Sequence, residues 1–174
     1  MRRILDTAYK AAGGLAALSI LGICLLVSAQ VMLNILARIG GPNWSFTIPS
    51  YADFAGYFLA TASFMAMAYT LRAGSHIRVN LLVQNLPEKP RWILELFALS
   101  LGAVMAGYAT YFTASLLGES YHYGDMSTGM IAVPLWIPQL AMVGGLGLLT
   151  IAFLDTLTEA LLARAPVIHD AGME

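Results

Sequence analysis

Four long stretches of this chain carry no charged side chain: Ala11–Ala37 (27 residues), Phe54–Leu71 (18), Leu96–Gly118 (23) and Met126–Leu154 (29). An α-helix rises 1.5 Å per residue, so about 20 mostly apolar residues cross a hydrocarbon core about 30 Å thick. The second run meets the lower limit, and Tyr51 and Ala52 can extend it into the interface. A soluble helical bundle would need a polar outer stripe on every helix. A run such as Leu146-Gly147-Leu148-Leu149-Thr150-Ile151-Ala152-Phe153-Leu154 has none. Charged residues make up only 11% of the chain, against roughly 25% in soluble domains. The pattern predicts an all-α integral membrane protein with four transmembrane helices at 12–37, 52–72, 94–118 and 132–156. One domain then covers 1–164, and 165–174 form a short cytoplasmic tail without structure.

The first run follows Arg2, Arg3 and Lys10, and Val27-Ser28-Ala29 faintly resembles a leader-peptidase site. At 27 residues the run far exceeds the roughly 7–15 of a signal-peptide core. It is therefore read as an uncleaved first membrane helix. Cys24 lies within it and, as the lone cysteine, offers neither a disulfide nor a metal set.

Basic residues set the orientation. Arg2, Arg3 and Lys10 precede the first helix, Arg72, Arg78, Lys89 and Arg91 lie around the connection after the second, and Arg164 follows the fourth. The opposite side has Arg38 alone, and Glu119–Asp125 contains no Lys or Arg. Positively charged short loops stay cytoplasmic, so both termini are expected inside. Trp44, Tyr51, Tyr121, Tyr123 and Trp136 flank the outer connections and Trp92 an inner one, where aromatic rings favour the membrane–water boundary. Pro134 and Pro138 fall where the fourth helix begins, a position that tolerates a missing N–H. In the inner connection, Ile77, Leu81, Leu82 and Leu86 recur near helical spacing before Pro87. They predict a short helix lying in the interface with Arg78 and Gln84 wet. The outer segment Trp44–Tyr51 is likewise expected in the interface.

The chemistry left open is narrow. Nine basic and ten acidic residues nearly cancel, which gives no footing to a nucleic-acid partner. No carboxylate stands mid-membrane to couple protons. His76, His122 and His169 fall at an inner end, an outer loop and the tail, so no pair can meet at one haem. No nucleophile–base set shares one depth. The chain is expected to be no enzyme and to hold no cofactor or metal. Gln30, Asn34 and Arg38, four apart, share one helix stripe. That stripe either faces a partner or hydrogen-bonds between this chain's own helices beneath a snorkelling Arg. Small residues recur at contact spacing: Gly56 and Ala60, Ala62 and Ala66, Gly102 and Ala106, and Gly144, Gly145 and Gly147. They allow close helix packing, inside this chain or against another.

The segment Tyr69-Thr70-Leu71-Arg72-Ala73-Gly74-Ser75-His76-Ile77-Arg78-Val79-Asn80-Leu81-Leu82 resembles the inner loop of the small, Q-type membrane subunit of tripartite ATP-independent periplasmic (TRAP) transporters. That family shows an Arg, a Gly, then His-Ile-Arg-Val-Asp; Asn80 replaces the Asp. Arg38 followed by Trp44 resembles the family's Arg and Trp around the first outer loop, whereas only Asp53 stands in for the Glu residues that follow there. The resemblance implies a bacterial inner-membrane subunit that braces a large sodium-coupled subunit, expected as a separate polypeptide. It also implies outer surface for docking a periplasmic binding protein that captures an organic acid. Candidate partner-interface residues are then Gln30, Asn34, Arg38, Trp44, Tyr51, Asp53, Arg72, His76, Arg78, Glu119, Tyr121, His122 and Asp125. His76 and Arg78 are expected to anchor the inner loop to lipid phosphates or to the partner. The rival reading is a membrane anchor of another complex, such as a respiratory enzyme.

Orientation is directly testable in a Cys24→Ser background. Single cysteines in Glu119–Asp125 should react with an impermeant maleimide on intact cells, and cysteines at 87–91 only after permeabilisation. Labelling of the second set from outside would reverse the topology.

Overall fold

The computed structural model describes residues 2–41, 44, 46–73 and 87–163. Among these described residues the chain is all-α, with four helices: α1 (Arg2–Gly40), α2 (Tyr51–Arg72), α3 (Glu88–Tyr123) and α4 (Trp136–Ala163). All four are long and apolar enough to cross a membrane. At 1.5 Å per residue the 36 residues of α3 extend about 54 Å, well beyond the hydrocarbon. The uncharged runs thus occupy the middle of longer helices whose ends carry the charges. The expected inner-loop helix at 77–86 and the tail 165–174 lie outside the described residues.

Helix ends follow local chemistry. Gly124 ends α3 in the left-handed conformation (φ 67°), and the Asp125 N–H returns to the Ser120 carbonyl (3.0 Å). Glycine takes this backbone without a Cβ penalty. Residues 125–135 then fold into a small hairpin. The Ser127 N–H meets the Val133 carbonyl (2.8 Å) and the Leu135 N–H meets the Asp125 carbonyl (2.9 Å). The hairpin delays α4 to Trp136, four residues after the expected 132, and Pro138 lies in its first turn as foreseen. The connection between α1 and α2, at the same end of the row, holds no α-helix among its described residues. There the Trp44 N–H bonds the Gly41 carbonyl (3.1 Å) and the Phe46 N–H bonds the Trp44 carbonyl (3.0 Å).

The helices stand in the order α1, α2, α4, α3, each packed mainly on its neighbours in that row. Small residues decide these pairings. Tyr69 of α2 lies over Gly13 of α1, and Phe58 over Gly22. Gly145 of α4 abuts the backbone of Phe64 in α2, and Phe153 of α4 fills the space over Gly102 of α3. Ala62, Ala68, Ala106, Ala152 and Ala160 are buried between helices. Tetrad-spaced small residues therefore serve contacts within this chain, whereas Gly56 has open space beside it. Lipid tails are as apolar as the side chains, so close approach and polar contacts hold the row. Thr110 and Thr150 hydroxyls pair across α3 and α4 (3.1 Å), and the Trp92 indole N–H donates to the Ala160 carbonyl (2.9 Å).

Gly145 is the tightest of these approaches, because a Cβ there would meet main chain rather than a flexible side chain. Gly145→Val should destabilise the protein by about 1–3 kcal/mol, the usual cost of overpacking, read as a lower melting temperature in detergent. Gly56→Ala, placed in open space, should leave melting unchanged or raise it by the helix gain of about 0.5–1 kcal/mol. Equal effects of the two would refute close packing of α4 on α2.

Candidate functional site

At one end of the row, Arg72 in the last turn of α2 reaches both neighbouring helices. Its guanidinium donates two hydrogen bonds to Glu159 of α4, Nη1 to Oε2 at 3.1 Å and Nη2 to Oε1 at 3.3 Å. Asp155 Oδ2 lies 3.5 Å from Nη1, and Asp6 Oδ1 of α1 lies 3.9 Å from Nη2. Thr156, one residue beyond Asp155 on α4, accepts a long bond (3.5 Å) from Nη1. The Tyr9 ring of α1 lies beneath the guanidinium, 6.0 Å from ring centroid to Cζ. A planar fork meets a carboxylate with two parallel bonds, as a lysine cannot. Tyr9 is itself buried among Ala68, Leu71 and Ala152, with Leu5, Leu148, Leu149 and Phe153 around them. Arg72 thus closes the polar side of the buried cluster that gathers α1, α2 and α4. Glu95 of α3 is buried toward the same end.

The Gln30–Asn34–Arg38 stripe divides. Gln30 is buried; its amide donates to Asn34 Oδ1 (3.0 Å) and its carbonyl accepts the Ile48 N–H (2.9 Å). Its base therefore ties the α1–α2 connection to α1 inside this chain. Asn34 and Arg38 are exposed. The ring of Trp44 folds back over Gly40, yet the residue remains more than half exposed.

At this second end, Asp53 in the first turn of α2 suits the positive end of the helix dipole. Its carboxylate lies against Gly129 at the hairpin tip. Ser50, just before α2, adopts a left-handed backbone (φ 55°), and its hydroxyl accepts the Ile131 N–H (3.0 Å). This bond fastens the 125–135 hairpin to the start of α2. Tyr121 stacks edge-on against Trp136 (5.9 Å) and His122 against Tyr123 (5.2 Å). Glu119, Tyr121, His122 and Asp125 are all exposed. Because α1 and α3 stand at opposite ends of the row, Arg38 and Trp44 do not join this group. Tyr51 and Asp53 lie between. Sequence reading missed the hairpin and its exposed Met126, Met130 and Ile131; an apolar run interrupted by Gly129 and Pro134 was the available signal. His76 and Arg78 lie outside the described residues. The described residues hold no cluster of His, Cys, Asp and Glu suited to a metal.

Arg72→Ala would leave Asp155 and Glu159 without their shared cation. Because the guanidinium keeps some contact with water, the loss should be about 3 kcal/mol, the low end for breaking a buried pair. Arg72→Lys should cost about 1 kcal/mol, keeping the charge and losing the fork. Melting temperatures in detergent should fall in that order, and an unchanged melt for Arg72→Ala would remove the cluster's structural role.

Comparison with known proteins adds two findings. Residues 23–163 match the family model for the DctQ component of tripartite ATP-independent periplasmic transporters. The C4-dicarboxylate TRAP transporter small permease protein DctQ of Rhodobacter capsulatus is 30% identical over 98 residues, covering 56% of this chain and 42% of that protein. The match thus spans less than half the length of that relative. No solved structure matches the chain. With the family model running from the middle of α1 to the end of α4, the chain belongs to the DctQ component family of tripartite ATP-independent periplasmic transporters.

Proposed function

We propose that this chain is the small permease subunit of a transporter that takes up an organic acid. In this reading it sits in the bacterial inner membrane with both termini in the cytoplasm. It braces a large sodium-coupled membrane subunit and offers its outer end to a periplasmic substrate-binding protein. The family match over residues 23–163 carries this reading, and the relative's name points to C4-dicarboxylates as the first substrates to test. The central stretches of all four crossings lack Asp, Glu, Lys, Arg and His, and such groups are the usual marks of ion and substrate pathways. Sodium coupling then falls to the large subunit. The Arg72 end, rich in basic residues, is the cytoplasmic one. The outer end, with Tyr51, Asp53, Glu119, Tyr121, His122 and Asp125, is the docking surface.

Co-expression and reconstitution test the reading. The tagged chain should retain a large membrane subunit on purification, and liposomes holding both should take up a C4-dicarboxylate in a sodium gradient when the binding protein is added. Liposomes with this chain alone should show none. Uptake by the small subunit alone, or copurification of a redox enzyme in place of the large subunit, would overturn it.

A further inference from the structure

The charges in the first turns of α1 are sorted by face. Asp6 turns toward the row, with its carboxylate 3.9 Å from Arg72, and Tyr9 is buried there. Arg3 and Lys10 turn away and are exposed. Two turns apart, they lie one above the other on the helix, about 10 Å along its axis. Thr7 stands between them, exposed, with its hydroxyl donated to the Arg3 carbonyl (2.7 Å). Neither cation has an ion pair among the described residues. Lys10 is one turn beyond Asp6, a spacing that favours pairing, yet the acid faces Arg72. The other free edge is mixed in sign: α3 opens with Glu88 beside Lys89, and Glu95 is one turn beyond Arg91.

The depth of this stripe is that of the lipid headgroups. Lys10 stands immediately before the uncharged run Ala11–Ala37, and the polar layer of a leaflet is about 5–8 Å thick. Long basic side chains converge on that layer from a turn above or below it. Ile4, next to Arg3, is 74% exposed although it lies outside the uncharged run. Apolar and cationic side chains interleaved in this way mark helices at a membrane surface. Toward the bilayer centre the same face is low. A Cβ at Gly14 would meet nothing within 4 Å, and its exposed neighbours on this face are Ala11 and Ala17. Leu18 and Leu21 then resume the apolar surface, 65% and 53% exposed. Cations, a shallow trough and an apolar wall thus follow one another in the order of phosphate, glycerol ester and acyl chain.

We infer that the Arg3–Lys10–Gly14 face of α1 seats one anionic phospholipid, with its phosphate between the two cations and an acyl chain along Gly14 toward Leu21. Charge complementarity carries the assignment, since anionic lipid surfaces attract Lys and Arg held close to them and no acid of this chain neutralises these two. An anionic headgroup satisfies both cations, whereas a zwitterionic one brings its own ammonium to the same place. A free phosphate would meet the cations and leave Ile4 and the trough without a role. The inference depends on α1 crossing a membrane and not on the transport role, so the isolated chain can test it.

The full-length chain in an uncharged maltoside can be titrated with phosphatidylglycerol or phosphatidylcholine, with retained lipid read by native mass spectrometry and stability by melting temperature. Wild type should keep phosphatidylglycerol in preference to phosphatidylcholine and melt higher with it. Arg3→Gln combined with Lys10→Gln should weaken phosphatidylglycerol binding about fivefold for each cation removed. Gly14→Leu, which keeps both charges and fills the trough, should weaken it as well. Without lipid both variants should melt as wild type does, because the three positions are exposed. Lys89→Gln, at the other edge, should leave binding unchanged. Equal retention of the two lipids, unchanged binding in the double variant or in Gly14→Leu, or an equal loss in Lys89→Gln would overturn the inference. So would displacement of the lipid by inorganic phosphate at the same concentration, the mark of a bare anion site. A double variant that binds lipid like wild type but no longer retains the large subunit would assign the cations to the protein partner and overturn it too.

Discussion

Arg72 is the point where three of the four helices meet, and little else in a bilayer would gather them there. Lipid tails solvate apolar side chains as well as other side chains do, so burying Leu against Leu gives no driving force between helices. A guanidinium forked onto Glu159, with Asp155 and Asp6 beside it and Tyr9 beneath, has no substitute in the lipid. The position matters as much as the partners. A cluster of this kind at the midplane would carry the full cost of removing charge from water. In the last turn of α2 the guanidinium keeps about a fifth of its side-chain surface exposed, so part of its hydration survives. Long arms that reach from buried stems toward water make this compromise available.

The fourth helix is attached differently. Among the described residues α3 has no part in the Arg72 cluster and is held to α4 by neutral contacts spread along its length. The Trp92 indole, the Thr110 hydroxyl and the Ser120 hydroxyl mark three depths, with Phe153 seated over Gly102 between the first two. Each is weak alone, since hydrogen bonds between membrane helices average about 0.6 kcal/mol. Several spaced along one pair of helices nevertheless fix both depth and rotation. The rotation is what turns Thr110 inward and Tyr108 and Tyr111 outward.

How much of this was legible in the sequence follows from range of interaction. The helices themselves follow from the uncharged runs, because spanning a membrane leaves the backbone no alternative to satisfying its own hydrogen bonds. The charges at helix ends follow for the same reason. Pairing did not, since a membrane helix is apolar on every side and gives no amphipathic stripe to say which face meets which helix. Arg72 is visible as a basic residue that sets topology, but Glu159 lies 87 positions away and becomes its partner only once α4 is known to lie beside α2. Gln30 and Asn34 were readable as neighbours on one face, whereas the Ile48 N–H that Gln30 accepts depends on how the α1–α2 connection folds back. The hairpin at 125–135 hid inside an uncharged run that hydropathy assigns to the helix. Gly129 and Pro134 were its only local punctuation.

A row of four helices has two free edges. In a closed bundle every helix could turn its polar groups to a common axis. A row has no axis, so each polar side chain must find a partner in an adjacent helix, in its own backbone, or outside the protein. Along α1 the first two options serve Ser19, which bonds its own backbone, and Gln30, which holds the following connection, but Cys24 and Ser28 stand exposed near the middle of the helix. Along α3 they account for Thr110, Thr113 and Ser120 but not for Tyr108 and Tyr111, which are exposed close to the midpoint of its uncharged run. Both edges therefore carry polar groups near mid-depth that no neighbouring helix satisfies, which is the cost of an open row compared with a closed bundle.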